Sequence, residues 1–143
     1  MKRLINRRAK FDYEFHEKYE AGIVLSGSEA KALRLGRGDI SQAHIRIIDG
    51  EAYLINANIP TESTTIDPNR TRKLLLHKSE LNKIEIKIKA NKLTLVPLKV
   101  YNKGRVFKLE LGLGKSKRKF QKKEALKKKD IKRELDRELK GIV

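Results

Sequence analysis

The sequence predicts a mainly β fold: an antiparallel barrel of about six strands, with α-helices inserted and a basic C-terminal tail. Three observations carry this. Several short segments alternate apolar and polar residues at a period of two, as half-buried strands do. Asp49-Gly50 stands between two such segments, and this pair can take the left-handed backbone at both turn positions of a hairpin. Residues 115–143 hold thirteen Lys or Arg against five Asp or Glu, with no Gly or Pro from 116 to 140.

Residues 1–10 carry five basic side chains and read as a mobile arm. From 11 to 20, Phe11, Tyr13, Phe15 and Tyr19 alternate with Asp12, Glu14 and His16, a half-buried strand; residues 21–25 read as a short second strand. Ser26-Gly27-Ser28-Glu29 is a capping box, in which the Ser26 hydroxyl accepts an orphan backbone N–H and Glu29 reaches back to the cap. It opens a helix over 27–35, with Ala30, Leu33 and Leu35 as apolar face and Gly36 as left-handed stop. Strands over 43–48 and 51–57 flank the Asp-Gly turn, and Pro60 ends the second. Residues 61–69 are polar and Thr-rich, a surface loop.

Residues 78–90 fit two periods. Leu81, Ile84 and Ile88 suit a helix; Ile84, Ile86 and Ile88 suit a strand. Length and the Glu/Lys content favour the helix, with Asn91 as its left-handed cap. Residues 93–101 form a strand interrupted by Pro97, which lacks a ladder N–H and belongs at an edge or bulge. Asn102-Lys103-Gly104 turns the chain into a return strand over 105–111. Closing six such strands removes exposed edges, so a small OB-like barrel is the natural candidate, a fold often used for RNA. The domain organisation is an arm over 1–10, a barrel over 11–114 and a tail over 115–143.

The net charge is +17 and the isoelectric point about 10.2. The tail supplies eight of those charges and the rest of the chain nine. Such a surplus points first to nucleic acid and second to an anionic membrane. There is no Cys, which excludes disulfides and thiolate metal sites and fits a reducing compartment. No apolar run approaches the roughly 18 residues of a membrane span, and the charged first residues lack the apolar core of a secretory signal. The expectation is a cytoplasmic protein without a membrane partner. In the tail, Leu126, Ile131, Leu135 and Leu139 form only a thin apolar seam. That is too little burial to order a free helix, so the tail is expected to fold as a basic helix on a polyanion. A solvated helix docked on the body is the alternative.

Catalytic patterns are weak. His16, His44 and His77 are dispersed, and no metal or other cofactor is expected. Gly112-Leu113-Gly114-Lys115-Ser116 ends like a phosphate loop, but the first glycine of that motif would fall at Leu109. It reads more simply as a flexible hinge before the tail. Ser28 and Lys31 match a nucleophile pattern without its partner motifs. A nuclease using Asp12, Glu14 or Glu20 would need scattered carboxylates to converge in a basic chain. The expectation is a protein that is not an enzyme.

The segment 67–78, D-P-N-R-T-R-K-L-L-L-H-K, is more informative. Asp67-Pro68 starts a turn. Arg70, Arg72 and Lys73 follow within four residues, and Arg forks suit phosphate oxygens while Arg planes stack on bases. Leu74 to Leu76 would anchor the segment on the barrel.

This segment closely resembles the signature of the bacterial SsrA-binding protein family, also called small protein B. The resemblance extends to N-R-R-A-K-F-D-Y from Asn6, Y-E-A-G-I-V-L-S-G-S-E-A-K-A-L-R-L-G from Tyr19, D-G-E-A-Y-L-I-N-A-N-I from Asp49 and L-T-L-V-P-L-K-V-Y from Leu93. It implies an OB-like barrel that binds the tRNA-like domain of transfer-messenger RNA and brings it to stalled 70S ribosomes for trans-translation. It also implies a monomer, elongation factor Tu as a partner through the charged RNA, and a tail that turns helical in an empty message channel beside the small-subunit decoding centre. A structural ribosomal or translation-factor OB protein is the alternative function.

By the same resemblance, the RNA-binding residues are Asn6 and Arg7, Glu20 of Y-E-A-G, and Leu75 and His77 of the L-L-L-H segment. Phe11 occupies a position often held by His, retaining stacking while losing a hydrogen bond. In the tail, Lys115, Lys117, Arg118, Phe120, Lys122 and Lys123 are the ribosome-binding candidates. Phe120 takes the usual aromatic position, Gln121 replaces an Asp, and Lys122 and Lys123 replace Lys-Arg, keeping charge but losing the guanidinium fork.

Overall fold

The computed structural model of the chain describes residues 4–117. It enters on a two-residue edge strand, β1 (Leu4–Ile5), and a single helical turn, α1 (Ala9–Asp12), before the long β2 (Tyr13–Ile23). Helix α2 (Gly27–Arg34) follows, then the hairpin of β3 (His44–Ile48) and β4 (Glu51–Ile55). After the Thr-rich loop come β5 (Arg72–Leu75), α3 (Lys78–Asn91), β6 (Thr94–Lys103) and β7 (Val106–Ser116). All strands pair antiparallel in one sheet, in the order β1-β6-β7-β2-β5-β4-β3.

The sheet curls until β3 approaches β6, and α3 lies along that seam, giving the nearly closed barrel with inserted helices that the sequence predicts. Its interior is filled by Leu54, Leu74, Leu109, Leu111 and Leu113 from the strands, Ile40 and Ile59 from connections, and Ile84 from α3. The predicted hairpin forms as expected: Asp49 and Gly50 both take positive φ, 51° and 75°. Pro97 lies at a register shift between Pro97 and Lys99, the bulge its missing N–H calls for.

Several expectations need correction. Residues 13–23 make one strand, not two, because the change of pattern at Ala21 is a change of burial. The first part of β2 is half-exposed, whereas Ala21, Gly22 and Ile23 are covered on both faces. The expected arm is anchored from Leu4 onward: β1 pairs with β6, and Asn6 is buried with its N–H on Leu98 O at 2.8 Å. Residues 1–3 lie outside the described residues. Segment 72–75 is a ladder strand, with Arg72 and Leu74 turned inward and Lys73 and Leu75 outward, so the three basic residues do not share one face.

Helix α2 ends a residue early, and its buried face is Glu29, Ala32 and Leu33, whereas Leu35 is exposed. Helix α3 runs one residue further than expected, so the left-handed cap falls on Lys92, φ 52°, rather than Asn91. The Gly-Lys-Ser stretch is no hinge either. It lies in β7, where a Cβ on Gly114 would stand 2.3 Å from Glu14 O, and one on Gly112 2.6 Å from the Phe15 ring. These glycines admit a close backbone and a ring at the β2 bulge between Phe15 and Glu17.

Candidate nucleic-acid interface

Alternation along β2, β5, β6 and β7 sends every second side chain to the outer face of the sheet, and two registers cross that face. In one, Ile5, Lys99, Glu110 and Glu20 stand in line across β1, β6, β7 and β2. In the next, Tyr101, Lys108, Gly22 and Leu75 do so across β6, β7, β2 and β5. Gly22 leaves a shallow place that Leu75 leans over, with Leu75 Cβ 3.3 Å from where a glycine Cβ would be. Leu75 therefore remains 54% exposed, an apolar side chain beside a carboxylate.

Glu20 accepts from the Tyr101 hydroxyl and, at 3.4 Å, from Lys103 Nζ. The Tyr101 bond chiefly, with Lys103, holds its carboxyl below the usual range, so it is an anion at neutral pH. Lys73 is exposed and pairs loosely with Glu51 at 3.1 Å. His77 is the N-cap residue of α3; its backbone N–H donates to Glu80 Oε1 at 3.3 Å and its side chain is exposed. Thus Glu20, Leu75, Lys73 and His77 gather around the β2–β5 junction.

The remaining predicted residues lie elsewhere. Ile5 is three strand spacings from Glu20, about 14 Å across the sheet. Asn6 follows it, with Nδ2 donating to Pro97 O at 2.9 Å, so its amide secures the β6 bulge. Arg7 and Phe11 are exposed beyond it. Lys115 stands opposite Glu14, one pair before Ser116 and Tyr13 close the β2–β7 ladder, and Lys117 donates its N–H to Asp12 O at 2.8 Å and its Nζ to Lys10 O at 3.1 Å. The root of the tail is thus tied beside α1, at the end of β2 away from Glu20. Arg118, Phe120, Lys122 and Lys123 fall outside the described residues.

Arg72 and Arg70 correct the sequence reading most sharply. Arg72 is fully buried and spends its fork on the protein: Nε on Glu29 Oε2 at 2.7 Å, Nη1 on Ala57 O at 2.7 Å and Arg70 O at 3.0 Å, Nη2 on Pro68 O at 2.9 Å. Arg70 places Nε 3.1 Å from both Glu29 oxygens and Nη2 on Glu29 Oε1 and Val24 O. The Arg72 fork is thus not offered to phosphate, whereas Arg70, 34% exposed, turns Nη1 outward to Thr71 O at 3.3 Å. Glu29 also accepts from Ser26 N–H at 2.9 Å, completing the predicted capping box. Burial pushes its carboxyl up, but Arg70, the Ser26 N–H and Arg72 outweigh that and hold it at about 2.

Sequence reasoning missed this triad, although a signal existed. Glu29, Ala32 and Leu33 share a helix face, and a carboxylate on an apolar face requires a cation. Period two along 72–75 likewise puts Arg72 with Leu74. Among the described residues, no group of three His, Asp or Glu side chains stands close enough to hold a metal ion, and no helix is long and apolar enough to cross a membrane.

The family model for the SmpB protein matches residues 4–141. The chain belongs to the SmpB family. It is 49% identical over 142 residues to the SsrA-binding protein of Sulfurihydrogenibium sp. (strain YO3AOP1), covering 96% of this chain and 93% of the relative. It is 49% identical over 141 residues to the SsrA-binding protein of Mesoplasma florum, covering 95% of each. A solved chain from "tmRNA-SmpB: a journey to the center of the bacterial ribosome" is 46% identical and superposes with a TM-score of 0.69 over 88% of this chain and 95% of that one. Family membership and the fold agree with the barrel described above.

Proposed function

We propose that this chain binds transfer-messenger RNA, at its tRNA-like domain, and delivers it to stalled ribosomes for trans-translation. The observation that carries this reading is its near-full-length identity to SsrA-binding proteins. The outer face around Glu20 supports it, since it offers an ionised acceptor, an exposed Leu75, and Lys73, Lys103 and Lys108 at its margins. Cations supply affinity through released counterions, and a directional acceptor and an apolar contact supply selectivity.

In this reading the protein acts as an adaptor rather than an enzyme. Glu20, Leu75, Lys73 and His77 form the RNA-binding face, and Arg7 and Phe11 extend it along the far edge of the sheet. Lys115 and Lys117 begin a tail, continued through Arg118, Phe120, Lys122 and Lys123, that senses an empty message channel. The protein works as a cytoplasmic monomer, and elongation factor Tu joins through the charged RNA.

The test is binding to a tRNA-like-domain fragment against an unrelated hairpin of equal length, across a salt series. Tight, steeply salt-dependent and selective binding is expected. Equal affinity for both RNAs would refute the function.

A further inference from the structure

Glu20 has a carboxylate directly opposite it, Glu110, in the β2–β7 register. Like charges facing across strands cost stability, and the sheet resolves the conflict unequally. Glu110 is only 18% exposed and is flanked by Lys99 at 3.0 Å and Lys18 at 3.6 Å, so its charge is matched twice over. Glu20 instead has a neutral hydroxyl as its close partner. Tyr101, on β6, reaches past β7 to donate to Glu20 Oε2. The Tyr101 ring is held in turn, for Lys99 Nζ lies 5.6 Å from its centroid while paired with Glu110. The second oxygen, Oε1, has Lys103 Nζ at 3.4 Å, and that lysine is 69% exposed at the end of β6.

A carboxylate gripped through one oxygen by a neutral O–H keeps its charge and a fixed orientation. Its other oxygen, attended by a loosely held lysine, is available to a new donor. We propose that Tyr101 is a positioning residue of the RNA face: it fixes Glu20 so that Oε1 meets a donor group of the bound RNA, and Lys103 then exchanges Oε1 for a phosphate. This deepens the proposed function and rests on its reading that Glu20 faces RNA. Preorganisation of this kind acts on selectivity, because the hydroxyl carries no charge and releases no counterion.

The experiment measures Kd for the tRNA-like-domain fragment and for the unrelated hairpin, across a salt series, using the full chain and its Tyr101→Phe, Glu20→Gln, double and Lys103→Met variants. Tyr101→Phe should weaken the specific complex by roughly tenfold, as loss of one hydrogen bond to a charged group does. The hairpin affinity, the salt slope and the thermal midpoint should not move. In the Glu20→Gln background Tyr101→Phe should cost nothing more, because its effect passes through that carboxylate. Lys103→Met should lower the salt slope by about one on both RNAs.

Wild-type selectivity left intact by Tyr101→Phe, or additive losses in the double variant, would overturn the assignment while the RNA reading stands. An unchanged slope in Lys103→Met would overturn the exchange. A wild-type chain without selectivity would overturn the RNA reading and this assignment with it.

Discussion

Arg72 Nε lies 2.7 Å from Glu29 Oε2, and neither side chain reaches solvent. The pair joins the first turn of α2 to the start of β5, and Arg72 also satisfies the carbonyls of Ala57 and Pro68. Arg72→Met would leave Glu29 with Arg70 as its cation and take a donor from the carbonyls of Ala57 and Arg70, while Pro68 O keeps the Ile59 N–H at 2.9 Å. Breaking a buried pair from one side costs up to about 3–5 kcal/mol when the remaining charge has no other partner; with Arg70 still on Glu29, a loss at the lower end, about 3 kcal/mol, is expected. Urea unfolding should show that loss. Lys73→Ala, on the adjoining outward position, should change stability by less than about 0.5 kcal/mol while weakening binding to both RNAs. A shift below about 1 kcal/mol for Arg72→Met would place Arg72 among ordinary surface cations.

The same carboxylate sets a pH dependence. A group with a folded pKa below its unfolded value stabilises the fold above the unfolded value, and that contribution disappears as pH falls through the folded one. For Glu29 the window runs from its ordinary 4.5 down to about 2. Across it the wild type should lose about 3 kcal/mol that Glu29→Gln does not lose. Denaturant unfolding of both proteins at pH 6, 4, 3 and about 2 checks this. Parallel curves would mean that folding leaves the Glu29 carboxyl at its ordinary pKa.

On the outer face the expected signature is different, since little there is buried. Glu20→Ala removes an acceptor rather than a cation. It should weaken binding to the tRNA-like domain by roughly tenfold or more and leave generic RNA nearly untouched. Leu75→Ala should also lower specific affinity, by a few-fold, with stability unchanged within about 0.5 kcal/mol because the side chain is half-exposed. Competition titrations with the two RNAs distinguish these outcomes. Equal losses on both would remove the directional role of Glu20.

Much of the barrel was legible because its signals are local. The Asp49-Gly50 hairpin, the Ser26 capping box, the Pro97 bulge and the α3 helix each follow from a few neighbouring residues, and each forms. What was illegible depends on partners distant in sequence. The fork of Arg72 reads as a phosphate ligand until Glu29, 43 residues earlier, is seen to claim it. Gly112 and Gly114 read as a hinge until Phe15 and the Glu14 carbonyl are seen against them. Glu20 and Leu75 came from resemblance to a family. Only the register through Gly22 explains why they share one face, and although Tyr101 ends the L-T-L-V-P-L-K-V-Y stretch, nothing in that stretch points its hydroxyl at Glu20, 81 residues away.

Under the proposed function the two ends of β2 separate two tasks, and that separation can be tested by truncation. Glu20 and Tyr13 are seven residues apart on one strand, about 23 Å, and the root of the tail is fastened beside Tyr13 through Ser116 and Lys117. The partners of Glu20 given above, Tyr101 and Lys103, both lie outside residues 120–143, so deleting that segment leaves them in the chain. RNA selectivity should therefore persist within a few-fold, with a shallower salt dependence because cations are lost. Peptide tagging on stalled ribosomes should cease, since the residues expected to enter the message channel are gone. A purified tagging reaction, run beside the binding titration, reads both. Tagging that survives the deletion would mean that the barrel alone recognises the stalled state.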